Sequence, residues 1–159
     1  MQAGGRSSGR YDGAYSNFGV LNCVADLRAA ARGLAARIRP GGVAVLCVMG
    51  PACPWEWAWQ LAHLRPGKAF RRLRPGGARW RSAVIRYPSV RKAARAFTPE
   101  FRVLRAAAVG ALVPPPCAEE WARRHWALVE RLNRLERRWE CAPPLPALAD
   151  HYLLELARR

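Results

Sequence analysis

The sequence predicts an α/β fold in which helices cover the faces of a sheet. One observation is a continuous apolar run without alternation, Val43 to Gly50, which is typical of a strand buried on both faces. A short, weakly apolar run, Tyr11 to Ser16, lies upstream of it and predicts a second strand. Between the two runs, apolar residues recur at spacings of three and four and predict one face of a helix; they are Val24, Leu27, Ala31, Leu34 and Ile38. Strand, helix and strand in this order indicate a βαβ unit with parallel strands.

The remainder of the chain continues to alternate between helices and strands. The patterns predict a helix from Trp55 to Leu64, an exposed strand from Trp80 to Tyr87, a helix from Val90 to Phe97 capped by Ser89, a strand from Phe101 to Val113, a long helix from Glu119 to Trp139 and a last strand from Asp150 to Leu156.

Local signals set the expected ends of the first helix. Asn22 is expected to cap it, with Asp26 in its first turn, close to the positive end of the helix dipole. The run Arg39-Pro40-Gly41-Gly42 is expected to stop it, because proline cannot continue the backbone hydrogen bonds.

Length and composition favour one soluble domain. The chain has 159 residues, of which 51% are hydrophobic, and this is enough for a core. Residues 1–10 are polar and rich in glycine and serine, so we expect a flexible lead-in before a domain over 11–159. No run approaches the ~20 apolar residues of a membrane span, and the start has no hydrophobic signal region, so we expect a cytoplasmic protein without a membrane partner.

Cysteine, histidine and charge narrow the function classes further. The five cysteines form no C-x-x-C pair and the three histidines are scattered, so neither a disulfide framework nor a metal site is predicted. The net charge of +16 raises nucleic acid as a partner. The arginines are spread from Arg6 to Arg159, however, and this is typical of solvated helix faces rather than of a dedicated groove.

Three segments, taken in order, carry a resemblance to a known family. They are YDGAYSNFGVLN from Tyr11, RPGG at 39–42 before the apolar strand, and YPSVRKAARAFTPEFRVLR from Tyr87. In this order they resemble the C-terminal half of class I S-adenosylmethionine-dependent methyltransferases of the type 11-like group. The resemblance implies a partial Rossmann-like sheet, strands four to seven, with lid or insert segments at about 51–87 and 114–149.

The resemblance also implies site residues. Ser16, Asn17 and Phe18 would lie at the end of the fourth strand and face the methionine part of S-adenosylmethionine, although Ser16 and Asn17 could equally form a simple turn. Trp55 and Trp57 fall where the family keeps the roof of its substrate site, and aromatic rings there suit a flat or apolar small molecule. The alternative for the tryptophans is packing against the long helix.

Two further side chains are weaker candidates. Tyr87, at the end of the predicted strand from Trp80 to Tyr87, is a candidate substrate contact. His125 lies on the apolar face of the predicted long helix and could act as a general base. A lone histidine on such a face is more often packed and hydrogen-bonded, and the sequence offers no convincing nucleophile.

The resemblance has one departure. Family members begin with a glycine-rich cofactor loop and an acidic ribose-binding residue, and only ten polar residues precede Tyr11 here. We therefore expect a truncated enzyme that methylates a small molecule in its full-length form and is inactive alone. The alternative is a basic, non-enzymatic module that binds nucleic acid or protein. In the family this first strand lies between two others, so we also expect an open sheet edge and an edge-strand dimer.

Overall fold

A four-stranded mixed sheet forms the centre of the fold in the computed structural model, which describes residues 10–17 and 19–159, with the side chain of Trp80 excepted. The strands of this sheet are β1 (Tyr11–Ser16), β2 (Ile38–Met49), β5 (Phe101–Val109) and β6 (His151–Arg158). A separate hairpin consists of β3 (Ala78–Trp80) and β4 (Ala83–Ile85).

Helices fill the connections between the strands. They are α1 (Leu27–Ala35), α2 (Pro54–Ala62), α3 (Pro66–Ala69), α4 (Val90–Phe97), α5 (Glu119–Arg124), α6 (Trp126–Trp139) and α7 (Leu145–Leu148). Short 3-10 turns occupy Val20–Cys23, Arg71–Leu73 and Pro116–Ala118. None of the helices in the described ranges is both long and apolar enough to cross a membrane.

The strand order is β1-β2-β6-β5. Strands β1 and β2 are parallel, whereas β6 is antiparallel to both of its neighbours, β2 and β5. The predicted α/β class is therefore confirmed, and the parallel pairing predicted for the first two strands is correct. The sheet as a whole is mixed, because β6 runs against the other three strands.

The core lies between one face of the sheet and the helices α1 and α4. Strand β6 alternates as an amphipathic strand should, and its inward side chains Tyr152, Leu154 and Leu156 are fully buried. Phe97 of α4 and Ala31 of α1 pack into the same cluster. The apolar sides predicted for these two amphipathic helices thus cover this face of the sheet.

The first helix is shorter than its apolar spacing predicts. It ends at Ala35, and Ile38 already belongs to β2, where it pairs with Tyr11. The prediction that Arg39-Pro40-Gly41-Gly42 stops the helix is also wrong, since this run forms an irregularity inside β2. Gly42 is required there, because a Cβ would come within 2.6 Å of the carbonyl oxygen of Asp12.

The expected cap of the first helix is wrong as well. Asp26, not Asn22, is the N-cap, and its carboxylate accepts hydrogen bonds from the amides of Arg28 and Ala29. These backbone hydrogen bonds, that of Ala29 foremost, hold the pKa of Asp26 below its ordinary value. Asn22 is instead completely buried in the preceding 3-10 turn.

Two predicted strands are also shorter than expected. The stretch from Trp80 to Tyr87 is not one strand, because Arg81 adopts a φ of 54° and the chain reverses between β3 and β4. Strand β5 ends at Val109, where Gly110 takes a φ of 76°.

The predicted long helix is divided into α5 and α6 at His125, whose backbone leaves the helical region. Helix α6 is tied back to the end of β5 by Glu136. Its buried carboxylate accepts hydrogen bonds from the amides of Gly110 (2.7 Å), Ala111 (2.9 Å) and Leu112 (2.7 Å). Consecutive amides around one carboxylate form a compact anion-binding turn.

Candidate functional site

A large cleft lies beside the N-terminal turns of α1 and α4, with a volume of about 1160 Å³. Strands β1, β2 and β5 run in the same direction, because β6 is antiparallel to both β2 and β5. Helix α1 follows β1 and helix α4 precedes β5, so both helices begin near the C-terminal ends of the parallel strands. Open α/β sheets bind their ligands beyond these strand ends.

The charge of this cleft is strongly positive, and we call it the basic cleft. Seven basic side chains border it, against the single carboxylate of Asp26. That carboxylate is already engaged in capping α1. Apart from Arg72, none of the basic side chains forms an ion pair with a carboxylate in the ranges 10–17 and 19–159. These six cations are Arg28, Arg74, Arg86, Arg91, Lys92 and Arg95.

Apolar groups form the remainder of the wall. Leu21 and Val24 come from the segment between β1 and α1, and Tyr87 comes from the loop that leads into α4. The guanidinium carbon of Arg72 lies 5.6 Å from the centre of the Tyr87 ring, within the range of a cation–π contact. The basic cleft therefore combines a cationic rim with a flat and apolar wall.

Asn22 holds three parts of this region together. Its side-chain nitrogen donates to the carbonyl oxygens of Met49 (2.9 Å) and Arg86 (2.6 Å), and its side-chain oxygen accepts from the amide of Met49 (2.9 Å). The amide of Arg86 also donates to the carbonyl oxygen of Asn22 (2.7 Å). The end of β2, the turn after β1 and the loop before α4 are thus fixed relative to one another.

Arg72 is the buried member of the cleft and the centre of an ion cluster. One of its terminal nitrogens lies 2.5 Å from a carboxylate oxygen of Glu56 and also contacts the carboxylate of Asp150. Burial alone would lower the pKa of Arg72, but the charges of Asp150 and Glu56 outweigh it and raise the pKa above its ordinary value. The Nε atom of Arg72 is buried and has no hydrogen-bond partner in the described part of the chain.

The same cluster has the outline of a metal site. One ligand atom each from Cys53, Glu56 and Asp150 lies within 4.8 Å of the others. Arg72, however, already supplies the positive charge between the two carboxylates. Burial raises the pKa of the Cys53 thiol to about 11, so the thiolate that metals prefer is disfavoured. The arrangement is that of a buried ion-pair cluster.

Of the side chains singled out from the sequence, Tyr87 borders the basic cleft. Ser16 is half-buried at the end of β1, where it pairs with Leu46 of β2, and Asn17 is exposed directly after it. Phe18 lies outside the described residues, as do nine of the ten residues of the expected lead-in.

The two tryptophan candidates and the histidine lie elsewhere. Trp55 packs against Trp121, with 5.5 Å between ring centres, and its indole nitrogen donates to the carbonyl oxygen of Leu112 (2.7 Å). Trp57 contacts Phe70. None of these residues borders the basic cleft.

His125 stacks on the ring of Trp121 at 4.5 Å, and its Nδ1 lies 2.9 Å from the carbonyl oxygen of that residue. His125 itself is exposed, and its contacts with Trp121 are local ones between neighbouring turns of the chain. His125 does not border the basic cleft either.

Sequence patterns alone do not predict that these arginines converge in space. The cleft takes its cations from α1, from the segment before β3, from the loop after β4 and from α4, which are distant in sequence. One local signal was available: on a helix, Arg95 lies four residues after Arg91 and three after Lys92, so its side chain neighbours both of theirs.

A comparison of the sequence with models of known protein families gives no match. A comparison with curated proteins gives none either.

Proposed function

We propose that the chain takes part in the S-adenosylmethionine-dependent methylation of a small molecule, and that the basic cleft holds the methyl acceptor. The observation that supports this most is the position of the cleft beyond the ends of the adjacent parallel strands β1 and β2. The sequence resemblance assigns these strands as the fourth and fifth of a methyltransferase sheet. Their parallel pairing agrees with that assignment.

The residues at the end of β1 fit one part of the cofactor. Ser16 offers a hydroxyl and Asn17 an amide, and such groups can meet the amino and carboxylate groups of a methionine moiety. When bound, the cofactor supplies the reactive methyl group. The chain would then contribute position and exclusion of water, which are the main tasks of a protein in an in-line displacement.

The proposal is tested by following backbone amide NMR signals of the full chain during titration with S-adenosylmethionine. Because the resemblance covers only part of the cofactor site, we expect weak binding, with saturation only at millimolar cofactor, seen as shifts at the amides of Ser16, Asn17 and Gly19. These shifts should be lost in the double variant Ser16→Ala/Asn17→Ala. The variant Ser82→Ala, in the exposed turn between β3 and β4, serves as the matched control. An absence of saturable shifts at millimolar cofactor would contradict the proposal.

One observation favours the alternative, a basic module that binds nucleic acid. The six cations of the basic cleft are more concentrated than their spread along the sequence indicates. If charge alone acts, duplex DNA should bind weakly, without sequence preference, and be released by modest salt. Sequence-selective binding that survives physiological salt would overturn the enzymatic proposal.

A further inference from the structure

We propose that the basic cleft binds a small molecule that carries a phosphate ester, at least a diphosphate, on a flat or apolar body. As a statement about the methyl acceptor, this inference rests on the function proposed above. Phosphate binding itself is measured without any cofactor, so that either proposal can fail while the other stands.

The first argument is the missing negative charge. Six cations border one cavity, and none of them has a carboxylate partner in the described ranges. Arg74 and Arg86 make only long contacts to backbone carbonyl oxygens, at 3.3 and 3.4 Å. Cations held this close repel one another, and an anion bound among them relieves the repulsion. A diphosphate matches several such donors at once.

The second argument concerns the two helix N-termini at the cleft. The amides that open α1 are already occupied by the carboxylate of Asp26. Helix α4 is capped only by the neutral hydroxyl of Ser89, at a long 3.3 Å from the amide of Lys92. An anion is therefore favoured at α4, where Arg91 and Lys92 lie in the first turn.

The third argument is Arg72, which borders the same cleft. Its side chain is 5% exposed, and its Nε has no hydrogen-bond partner in the described part of the chain. Unsatisfied donors at this depth are rare in folded proteins, because they lose water without gaining a partner. Arg72 contributes a cation at the wall of the cleft, held in place by the carboxylates of Glu56 and Asp150.

The shape of the cleft favours a small molecule over a nucleic acid. Its volume of about 1160 Å³ is slightly above the range of ordinary ligand pockets, roughly 300–1,000 Å³, and leaves room for a molecule of nucleotide size. Leu21, Val24 and Tyr87 form an apolar wall within the cavity. A duplex presents phosphates on a wide, convex surface, and it would leave this wall without a partner.

The test is calorimetric titration of the full chain with uridine diphosphate, uridine and pyrophosphate. Uridine compounds are used because S-adenosylmethionine contains adenosine, and an adenine compound could bind at the cofactor site instead. We expect uridine diphosphate to bind with one-to-one stoichiometry, pyrophosphate to bind more weakly and uridine not to bind measurably. Failure of both phosphate compounds to bind would overturn the proposal.

Variants locate the site. The double change Arg91→Gln/Lys92→Gln should weaken binding of uridine diphosphate by about tenfold or more, because charge-assisted hydrogen bonds are lost. The matched control is Arg137→Gln/Arg138→Gln, an adjacent exposed pair on α6 with the same change in charge. Equal losses in both variants would show that only net charge acts, and would overturn the proposal.

Two further measurements separate the remaining outcomes. Tyr87→Ala should weaken the binding of uridine diphosphate more than that of pyrophosphate, because only uridine diphosphate has a nucleoside that can contact the apolar wall. Loss of both ligands to the same extent would contradict a role of the wall. If duplex DNA binds and uridine diphosphate at saturating concentration does not displace it, the cleft belongs to a nucleic-acid site instead.

Discussion

The side chain of Asn22 pairs with both backbone groups of Met49, accepting from its amide at 2.9 Å and donating to its carbonyl oxygen at 2.9 Å. The fully buried side chain of Asn22 thus satisfies the backbone hydrogen-bonding groups of the last residue of β2, as a neighbouring strand would. Through its further bond to the backbone carbonyl oxygen of Arg86, the same side chain also fixes the backbone that carries one of the cations of the basic cleft.

Asn22→Ala is expected to lower the free energy of unfolding by roughly 2–4 kcal/mol, because the amide of the half-buried Met49 loses its partner together with two carbonyl oxygens. Urea denaturation followed by circular dichroism measures the change. Asn133→Ala, on an exposed position of α6, is the matched control and should stay within about 0.5 kcal/mol of the parent. Equal stability of the two variants would contradict the bridging role of Asn22.

Glu136→Gln should release the turn that follows β5. The carboxylate accepts from several consecutive amides, and a glutamine replaces one acceptor oxygen by a donor that faces them. A loss of about 2–3 kcal/mol in unfolding free energy is expected, with faster hydrogen exchange at Gly110, Ala111 and Leu112. Glu130→Gln, an exposed glutamate of the same helix, should leave the exchange of these amides unchanged.

The buried ion cluster predicts a pH dependence. Burial would raise the pKa of Asp150, but its hydrogen bond with His151 and the charge of Arg72 outweigh burial and hold the pKa below the ordinary value. A depressed pKa in the folded state adds stability above the unfolded pKa of about 3.9, and that stability is lost as the pH falls through the folded pKa.

Unfolding free energy should therefore fall below about pH 5 in the parent. In Asp150→Asn the unfolding free energy should be lower at neutral pH and should decline less as the pH falls. Unfolding curves between neutral pH and about pH 3 measure both slopes. Asp12→Asn, which removes an exposed carboxylate, should keep the parent's slope. A parallel decline of the parent and Asp150→Asn would show that the carboxylate of Asp150 is not the group that titrates.

The free edge of β1 predicts self-association. Among the strands of the described residues only β2 pairs with β1, and Tyr11 and Tyr15 are 66% and 83% exposed on it. Such an edge can pair with another chain through its backbone. Light scattering after size-exclusion chromatography should show a dimer or larger species that Tyr11→Lys/Tyr15→Lys disperses. Leu64→Lys, which changes an exposed residue far along the chain, should leave the species intact, and a monomeric parent would contradict the prediction.

Patterns that depend on neighbours in sequence predicted most of the elements correctly. Ser89 caps α4 as expected, and the amphipathic alternation of β6 places Tyr152, Leu154 and Leu156 in the core. The helix break at His125 could not be foreseen, because no glycine or proline marks it. Ile38 fits the helical spacing equally well, and only its pairing with Tyr11 assigns it to a strand.

The basic cleft could not be predicted from local patterns. Its cations come from four separate segments, and the bonds of Asn22 that hold the region together span 27 and 64 residues. Tyr87 was singled out from the sequence and does border the cleft, whereas Trp55 and Trp57 took up packing roles, each against another aromatic ring. Spacing along the chain groups Arg91, Lys92 and Arg95 on one helix, but it does not show that Arg28, Arg74 and Arg86 join them in space.

The place of β6 in the sheet has a consequence for how the chain folds during synthesis. Strand β5 pairs with β6 alone among the described strands, and β6, which comes later in sequence than every other strand, separates β5 from β2. The four-stranded sheet cannot form until His151–Arg158 has been translated. Both edges of β5 therefore remain unpaired while α5, α6 and α7 are synthesised. Pairing of this kind between distant segments is slow and exposes strand edges meanwhile. Strand β5 therefore depends on the prompt synthesis of β6, or on being shielded until β6 has been made.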